Sequence, residues 1–290
     1  MFSAAIEKVA GFTRPIYTIR RRYPDNTIIK DCGTMFFVND RGTALTAKHV
    51  ASTFPAAEQL DKKYKEFLAE RSRLKHDATF QFEEKLLAKR YGFTKDSITQ
   101  VCNSFVNCVQ GEKGFTITAH PKYDLALIQF NAPGKYLYYG HAVFAKSAPK
   151  VGTSVCRLSY PFPEFTNYRF NEEQDRIEFT QEGKTATPYF PVDGMITRYL
   201  SDSDRLFAIE TSTPGMLGNS GGPMFDRNGV VCGMQFAIAT IRQTINAPNR
   251  KDASGNPVEA QTFEYRLGNC IHVDVIKDFL RANGVTFTEE

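Results

Sequence analysis

Short apolar runs separated by glycine-, asparagine- and aspartate-bearing turns recur through most of this 290-residue chain, and they restrict it to a mostly β architecture. In the first half the runs are Ile16–Ile19, Thr27–Lys30, Thr34–Val38 and Ala44–Thr46, with Asn39-Asp-Arg-Gly42 as a turn. In the second half they are Val151–Leu158, Arg176–Gln181, Gly194–Leu200, Leu206–Glu210, Gly229–Ala237 and Thr262–Val273. Turn signals fall at Glu182-Gly183, Asp193-Gly194, Ser201–Asp204 and Asp226-Arg-Asn-Gly229. Many short strands joined by tight turns favour antiparallel sheets closed into barrels.

One block breaks this pattern. Residues 56–91 lack glycine and proline, are rich in Lys, Glu, Leu and Ala, and space apolar residues at helical intervals. Leu60, Tyr64, Phe67 and Leu68 make one stripe, and Phe80, Phe82, Leu86 and Leu87 a second, so one or two helices are expected. Asp274–Asn283 reads as a terminal helix with Val275, Ile276, Phe279 and Leu280 on one face and Gly284 as its stop. Residues 1–10 read as a short amphipathic helix, and 242–260 as a mobile polar loop.

Leu217-Gly-Asn-Ser-Gly-Gly-Pro223 places a serine hydroxyl in a turn made largely of glycines. Glycines tolerate positive φ and close backbone approach, so the N–H groups of Gly218 and Ser220 can converge on one developing negative charge. Flanking strand-like runs at Leu206–Glu210 and Gly229–Ala237 argue against a flexible linker.

A nucleophilic serine needs a base. Of five histidines, His49 stands at the end of an apolar strand running into small residues, Gly42-Thr-Ala-Leu-Thr-Ala-Lys-His49. His76 sits among charges and reads as a surface residue; His120 and His141 read as turn residues; His272 alternates with Ile271 and Val273 as a structural strand residue. Asp124 directly precedes the apolar run Leu125–Phe130, where its carboxylate is able to orient an imidazole and stabilise its protonated form.

With Thr46-Ala-Lys-His49, His120-Pro-Lys-Tyr-Asp124-Leu-Ala-Leu-Ile128 and Gly218-Asn-Ser220-Gly-Gly-Pro223 in that order, the chain resembles the trypsin/chymotrypsin-like serine peptidases, most closely their bacterial HtrA/Deg-type branch. The resemblance covers most of 28–54 and 115–284. It implies two antiparallel six-stranded β-barrels, an N-terminal one over 1–140 with a helical insertion at about 56–110, and a C-terminal one over 141–290 that carries the nucleophile and ends in a helix. It implies His49 as general base, Asp124 as its orienter and Ser220 as nucleophile, with the oxyanion hole in Gly218, Asn219 and Ser220. It implies a primary pocket lined by Gln235, Phe236, Ala237 and Ile238 and walled by the segment containing Thr213 and Pro214. No carboxylate stands at that pocket's base, so Lys or Arg before the scissile bond is not expected, and Phe236 and Ile238 favour a small or medium apolar side chain.

The departures also carry expectations. Secreted trypsins have an aspartate before the nucleophile to pair with a new N-terminus; Asn219 here argues against zymogen cleavage. The chain stops soon after its last helix, so no C-terminal PDZ module is expected. The helical insertion reads either as a solvated hairpin packed on the first barrel or as a docking element for a regulatory protein partner near the cleft.

Composition narrows the classes further. With 42% hydrophobic residues and no long apolar run, no membrane span is expected. A net charge of +4 with interspersed signs gives nucleic-acid binding little support. Six cysteines suggest disulfides by count alone, but Cys32, Cys156, Cys232 and Cys270 sit in or beside apolar runs as small buried hydrophobes. A cytoplasmic protein without metal or other cofactor, acting on protein or peptide substrates as a serine endopeptidase, is the resulting expectation. The alternatives are a catalytically silent protease-like module and a peptidase held latent until a partner binds.

Overall fold

A computed structural model describes residues 1–111, 113–131, 135–245 and 261–290. Helix α1 (Ser3–Ala10) leads into strands β1 (Thr13–Arg22), β2 (Ile28–Phe37) and β3 (Thr43–Thr46). The helical block follows as α2 (Lys48–Ala51), α3 (Thr53–Arg71) and α4 (Phe80–Arg90). Strands β4 (Ile98–Phe105), β5 (Val109–Gln110), β6 (Phe115–Ala119), β7 (Ala126–Phe130) and β8 (Lys135–Tyr136) end the first half. The second half runs β9 (Val143–Phe144), β10 (Ser154–Ser159), β11 (Tyr168–Asn171), β12 (Arg176–Phe179), β13 (Phe190–Ser201), β14 (Leu206–Thr211) and β15 (Pro223–Phe225). It closes with β16 (Val231–Ile245), β17 (Gln261–His272), α5 (Val273–Ala282) and β18 (Thr288–Glu289).

Two antiparallel six-stranded units result. The first has the order β4-β1-β2-β3-β7-β6. Its end strands meet through aromatic rings rather than a ladder: Phe105 of β4 packs edge-on against Phe115 of β6, with centroids 4.9 Å apart. In the second, β15 bonds both β10 and β16, so β15-β10-β13-β14-β17-β16 is a closed ring, and β9 and β18 extend its sheet by parallel pairing. Closure leaves no hydrogen-bonding edge in that ring. One apolar core runs through both units, with Phe36, Leu45 and Ile128 from the first and Leu158, Phe225, Met234 and Ile271 from the second. Each such side chain contributes roughly 1.5–3 kcal/mol by leaving water.

The helices follow their apolar stripes. α5 buries Val275, Ile276, Phe279 and Leu280, and Gly284 takes the positive φ of 65° that ends it. His272 closes β17 and accepts the Asp274 N–H at the start of α5, the structural role expected of it. α1 lays Ala5 and Val9 on the core, joined by Phe2 just before it. In the insertion, Tyr64, Phe67, Leu87, Ala88 and Phe93 form a small core of their own. Tyr23 at the end of the β1–β2 hairpin caps it, with its ring 6.1 Å from Phe67. Phe82 and Leu86 of the second stripe remain 67% and 53% exposed, so that stripe is only half used in packing.

Several boundaries differ from the sequence reading. Ile98–Phe105, within the span expected for the insertion, is a strand of the first unit. The runs at 27–30 and 34–38 merge into the single strand β2. Arg176–Phe179 pairs with β11 as a separate hairpin rather than as a barrel strand. That hairpin docks on β4, where Gln100 Oε1 accepts the Ile177 N–H. Arg242–Ile245, expected in a mobile loop, extend β16 against β17; 246–260 of that loop lie outside the described residues.

Candidate active site

The β3–β7 pairing sets Thr46 opposite Ala126, so the C-terminal end of one strand meets the N-terminal end of the other. Beyond those ends stand His49, on the first turn of α2, and Asp124. Asp124 bonds His49 twice: Oδ2 lies 2.6 Å from Nδ1 of the ring, and Oδ1 accepts the His49 backbone N–H at 2.9 Å. The second bond satisfies an amide that the start of a helix leaves without a partner, and Ala47, before α2, has no side chain to do so. Burial of Asp124 acts to raise its pKa, but the hydrogen bonds from the His49 ring and backbone outweigh it and hold the carboxyl below its ordinary value.

The turn presenting Asp124 is built around His120. Its Nδ1 accepts the N–H groups of Lys122 and Tyr123, both at 3.0 Å, so the ring must be unprotonated at that nitrogen. Burial first, then the nearby cations Lys48 and Arg205, lower the His120 pKa and favour that state. The second unit braces the same turn: Asp202 accepts the Tyr123 hydroxyl at 2.9 Å and pairs with Lys122, and Phe207 stacks on the Tyr123 ring.

Ser220 lies in the turn between β14 and β15. Gly218 and Gly221 have φ of 87° and 88°, where L side chains are strained. A Cβ on Gly221 would stand 1.9 Å from Thr34 O. That closeness reflects how β2 carries the turn: Thr34 N donates to Ser220 O at 3.0 Å, and Thr34 Oγ1 donates to Gly218 O at 3.0 Å. From the other side, Gly221 N donates to Gln235 O and Gln235 N to Gly222 O, both at 2.8 Å. Asn219 N donates to Met216 O, and its buried side chain accepts from Ser159 Oγ. The amides of Gly218 and Ser220, flanking it, donate to no acceptor among the described residues.

His49, Gly218 and Ser220 line one cleft of about 540 Å³. Gln235, Phe236, Ala237 and Ile238 form part of its wall. Thr213 and Pro214, expected at the same pocket, are not among the residues lining this cleft; both accept hydrogen bonds from Arg157 Nη2. His76 and His141 are remote surface residues, stacked on Phe80 and placed near Thr288. Sequence reasoning missed Thr34, Arg157 and the Arg20–Asp31 ion pair in the cleft mouth. Arg157 left a readable signal, a cation in the middle of the apolar run Val155–Leu158. Among the described residues no cluster of His, Cys, Asp and Glu is arranged to hold a metal ion, and no helix is long and apolar enough to cross a membrane.

A mostly β protein of one closed six-stranded barrel and one open six-stranded half-barrel, with an Asp124-bound His49 and a Ser220 set among glycines on one cleft, is thus defined by its geometry. The description "trypsin-like peptidase domain" matches residues 33–234, more than half of the sequence, and the chain belongs to that family. No curated protein sequence is recognisably similar to it. Among solved structures it is similar to the HtrA-type protease AlgW with a tripeptide, at 14% identity and a TM-score of 0.50. That likeness covers 97% of this chain and 63% of AlgW, so the chain spans less than two thirds of that relative's length. It is also similar to Rv3671c from M. tuberculosis H37Rv, an inactive serine-to-alanine mutant, at 14% identity and a TM-score of 0.46, covering 97% and 92% of the two chains.

Proposed function

We propose that the chain is a serine endopeptidase working through an acyl-enzyme. The observation that carries this reading is the convergence on one cleft of the Asp124-bound imidazole and of the Gly218 and Ser220 amides, which donate to no acceptor among the described residues. His49 takes the proton of Ser220 Oγ as it attacks a peptide carbonyl. Asp124 keeps the Nδ1 proton directed at itself and offsets the charge on the imidazolium. The N–H groups of Gly218 and Ser220, on either side of Asn219, receive the oxyanion. Protonated His49 then releases the amine, and water resolves the ester by the same base catalysis.

Other assignments join this reading. The division into an N-terminal half over 1–140 and a C-terminal half over 141–290 sets the cleft at their junction. Exposed Phe82 and Leu86, one turn apart on α4, are where a regulatory protein would bind the insertion. All six cysteines are free of disulfide bonds, which fits a reducing, cytoplasmic setting.

A latent state is the second reading, favoured by one observation: no hydrogen bond joins Ser220 Oγ to the imidazole among the described residues. Such bonds often tighten only when substrate is bound. Labelling with a serine-reactive fluorophosphonate, beside Ser220→Ala and His49→Ala, tests both readings. Labelling of the wild type lost in both variants, with peptide hydrolysis down about 10⁴- to 10⁶-fold, is expected of the active enzyme. Folded wild type that labels only after substrate-length peptide is added identifies the latent form; no labelling under either condition removes the peptidase reading.

A further inference from the structure

Arg157 is a buried cation that forms no ion pair among the described residues. It leaves the middle of β10, is 2% exposed, and heads the fully buried side chains by volume. Nη1 donates to Gln235 Oε1 at 2.6 Å, and Nη2 to Thr213 Oγ1 at 2.7 Å and to the carbonyls of Thr213 and Pro214 at 3.1 Å. Every one of these acceptors is neutral. Burial lowers its pKa, an effect the neighbouring Cys270 and Cys156 oppose only in part, and no carboxylate pairs with it among the described residues. An arginine used only as a strut between carbonyls carries an uncompensated charge out of water, which is costly.

The position of this charge gives it a use. Its acceptors come from the segment leading into the nucleophile turn and from the strand beside the cleft. Gln235 both lines the cleft and accepts from the guanidinium. The other end of its amide donates to Ala237 O at 2.6 Å, so the side chain is folded back on its own strand. Gly268 on β17 completes the chamber, since a Cβ there would lie 1.8 Å from Nη1. Gly215 does the same in front, where a Cβ would meet Ile238 Cγ1 at 2.8 Å and Gln235 Nε2 at 3.0 Å. The chamber is shaped around a guanidinium, and a carboxamide occupies the place of its carboxylate.

We propose that Arg157 determines specificity by selecting an acidic side chain, glutamate foremost, in the residue whose carbonyl Ser220 attacks, with the Gln235 amide yielding its place on the guanidinium to the substrate carboxylate. This rests on the peptidase reading above. It differs from the apolar preference expected from Phe236 and Ile238, because a charge stands behind the strand that carries them. A carboxylate on a buried guanidinium makes charge-assisted bonds of the stronger class, and a site with a buried polar group unpaired discriminates against side chains that leave it so.

The test uses quenched peptides identical except for Glu, Gln, Val or Lys before the scissile bond, with kcat/KM measured for the wild type, Arg157→Met and Gln235→Glu. The wild type should favour Glu over Val by about tenfold or more, as a hydrogen bond between charged groups supplies. That ratio should fall to near one in Arg157→Met. Gln235→Glu keeps the arginine but gives it an internal carboxylate, so the ratio should collapse there too. If Arg157→Met does not fold, Gln235→Glu decides alone, and an unchanged ratio in it overturns the proposal. Wild type that labels with fluorophosphonate yet cleaves after Val as well as after Glu overturns the proposal and leaves the peptidase reading standing. Protein that neither labels nor cleaves removes both.

Discussion

His49 and Ser220 face one cleft but are held there by different means. His49 is held by side chains: Asp124 bonds its ring and its amide, His120 shapes the turn that presents Asp124, and Asp202 and Lys122 tie that turn to the second unit. Ser220 is held mainly by main chain: its carbonyl and that of Gly222 accept from the Thr34 and Gln235 amides, glycines let the strands approach, and the side chains that help, Thr34 Oγ1 and Ser159 Oγ, do not titrate. A side-chain brace is sensitive to chemistry and pH, because a proton or an amide swap changes what each group donates or accepts. A main-chain brace is indifferent to pH and sensitive to volume, because one added methyl meets backbone that cannot turn aside.

The sharpest way to break this contrast is Asp124→Asn. The amide oxygen still accepts from the His49 amide, so α2 keeps its start, but the NH₂ presented to Nδ1 demands the wrong tautomer. We expect kcat for peptide hydrolysis to fall about 10⁴-fold with the fold intact. The carboxyl titrates below its unfolded value, so its contribution to stability is complete above about pH 4 and is lost as pH falls through the folded value. Chemical denaturation at pH 7 and pH 3 should therefore show the wild type and variant converging in acid. A difference that widens in acid would mean the carboxylate is not stabilised by His49.

On the other wall, Gly221→Ala should act through volume alone. The methyl would reach 1.9 Å from Thr34 O at a φ of 88°, so the turn must separate from β2. We expect a loss of about 2–4 kcal/mol of folding stability at every pH, read by denaturant titration. Loss of fluorophosphonate labelling should accompany it, since the amides of Gly218 and Ser220 belong to the same turn. A variant of normal stability and labelling would show that the turn is not held by main chain as described.

The sequence made the two ends of this contrast legible unequally. The nucleophile turn was readable because its constraint is written in residue type: only glycines allow that backbone. His49 and Asp124 were readable as strand ends next to apolar runs. The residues that brace the site were not, because Asp202 and Thr34 come close only through pairings between distant segments, and nothing local distinguishes such a residue from a surface or turn residue; Arg157 alone showed itself, as a cation inside an apolar run. Sheet closure hid for the same reason. Arg176–Phe179 has the pattern of a barrel strand, yet its pairing with Tyr168–Asn171 depends on where the segment between β10 and β13 can reach. Phe82 and Leu86 fall in an apolar stripe yet stay exposed, because periodicity shows which residues share a face, not how much of that face is covered.

The smallest effect tests whether the pH sensitivity of the His49 wall extends to its second layer. His120 accepts two backbone N–H groups at Nδ1, and its pKa is lowered by burial, then by Lys48 and Arg205, so the folded protein binds its proton less readily than the unfolded chain. For a histidine shifted down, the stabilising contribution is complete above its unfolded value near 6.5 and is lost as pH falls below it toward the folded value. His272 is shifted the same way by burial and adds to the same window, so the wild-type curve alone cannot apportion the two. His120→Asn keeps an acceptor oxygen near the turn but cannot titrate. The decline in stability between pH 7 and pH 5 should be shallower in this variant by about 1 kcal/mol or less, with His272 supplying the remainder. Activity should follow the same difference, because protonated His120 releases the turn that aims Asp124. An identical slope in wild type and variant would confine the chemical sensitivity of that wall to the His49–Asp124 pair itself.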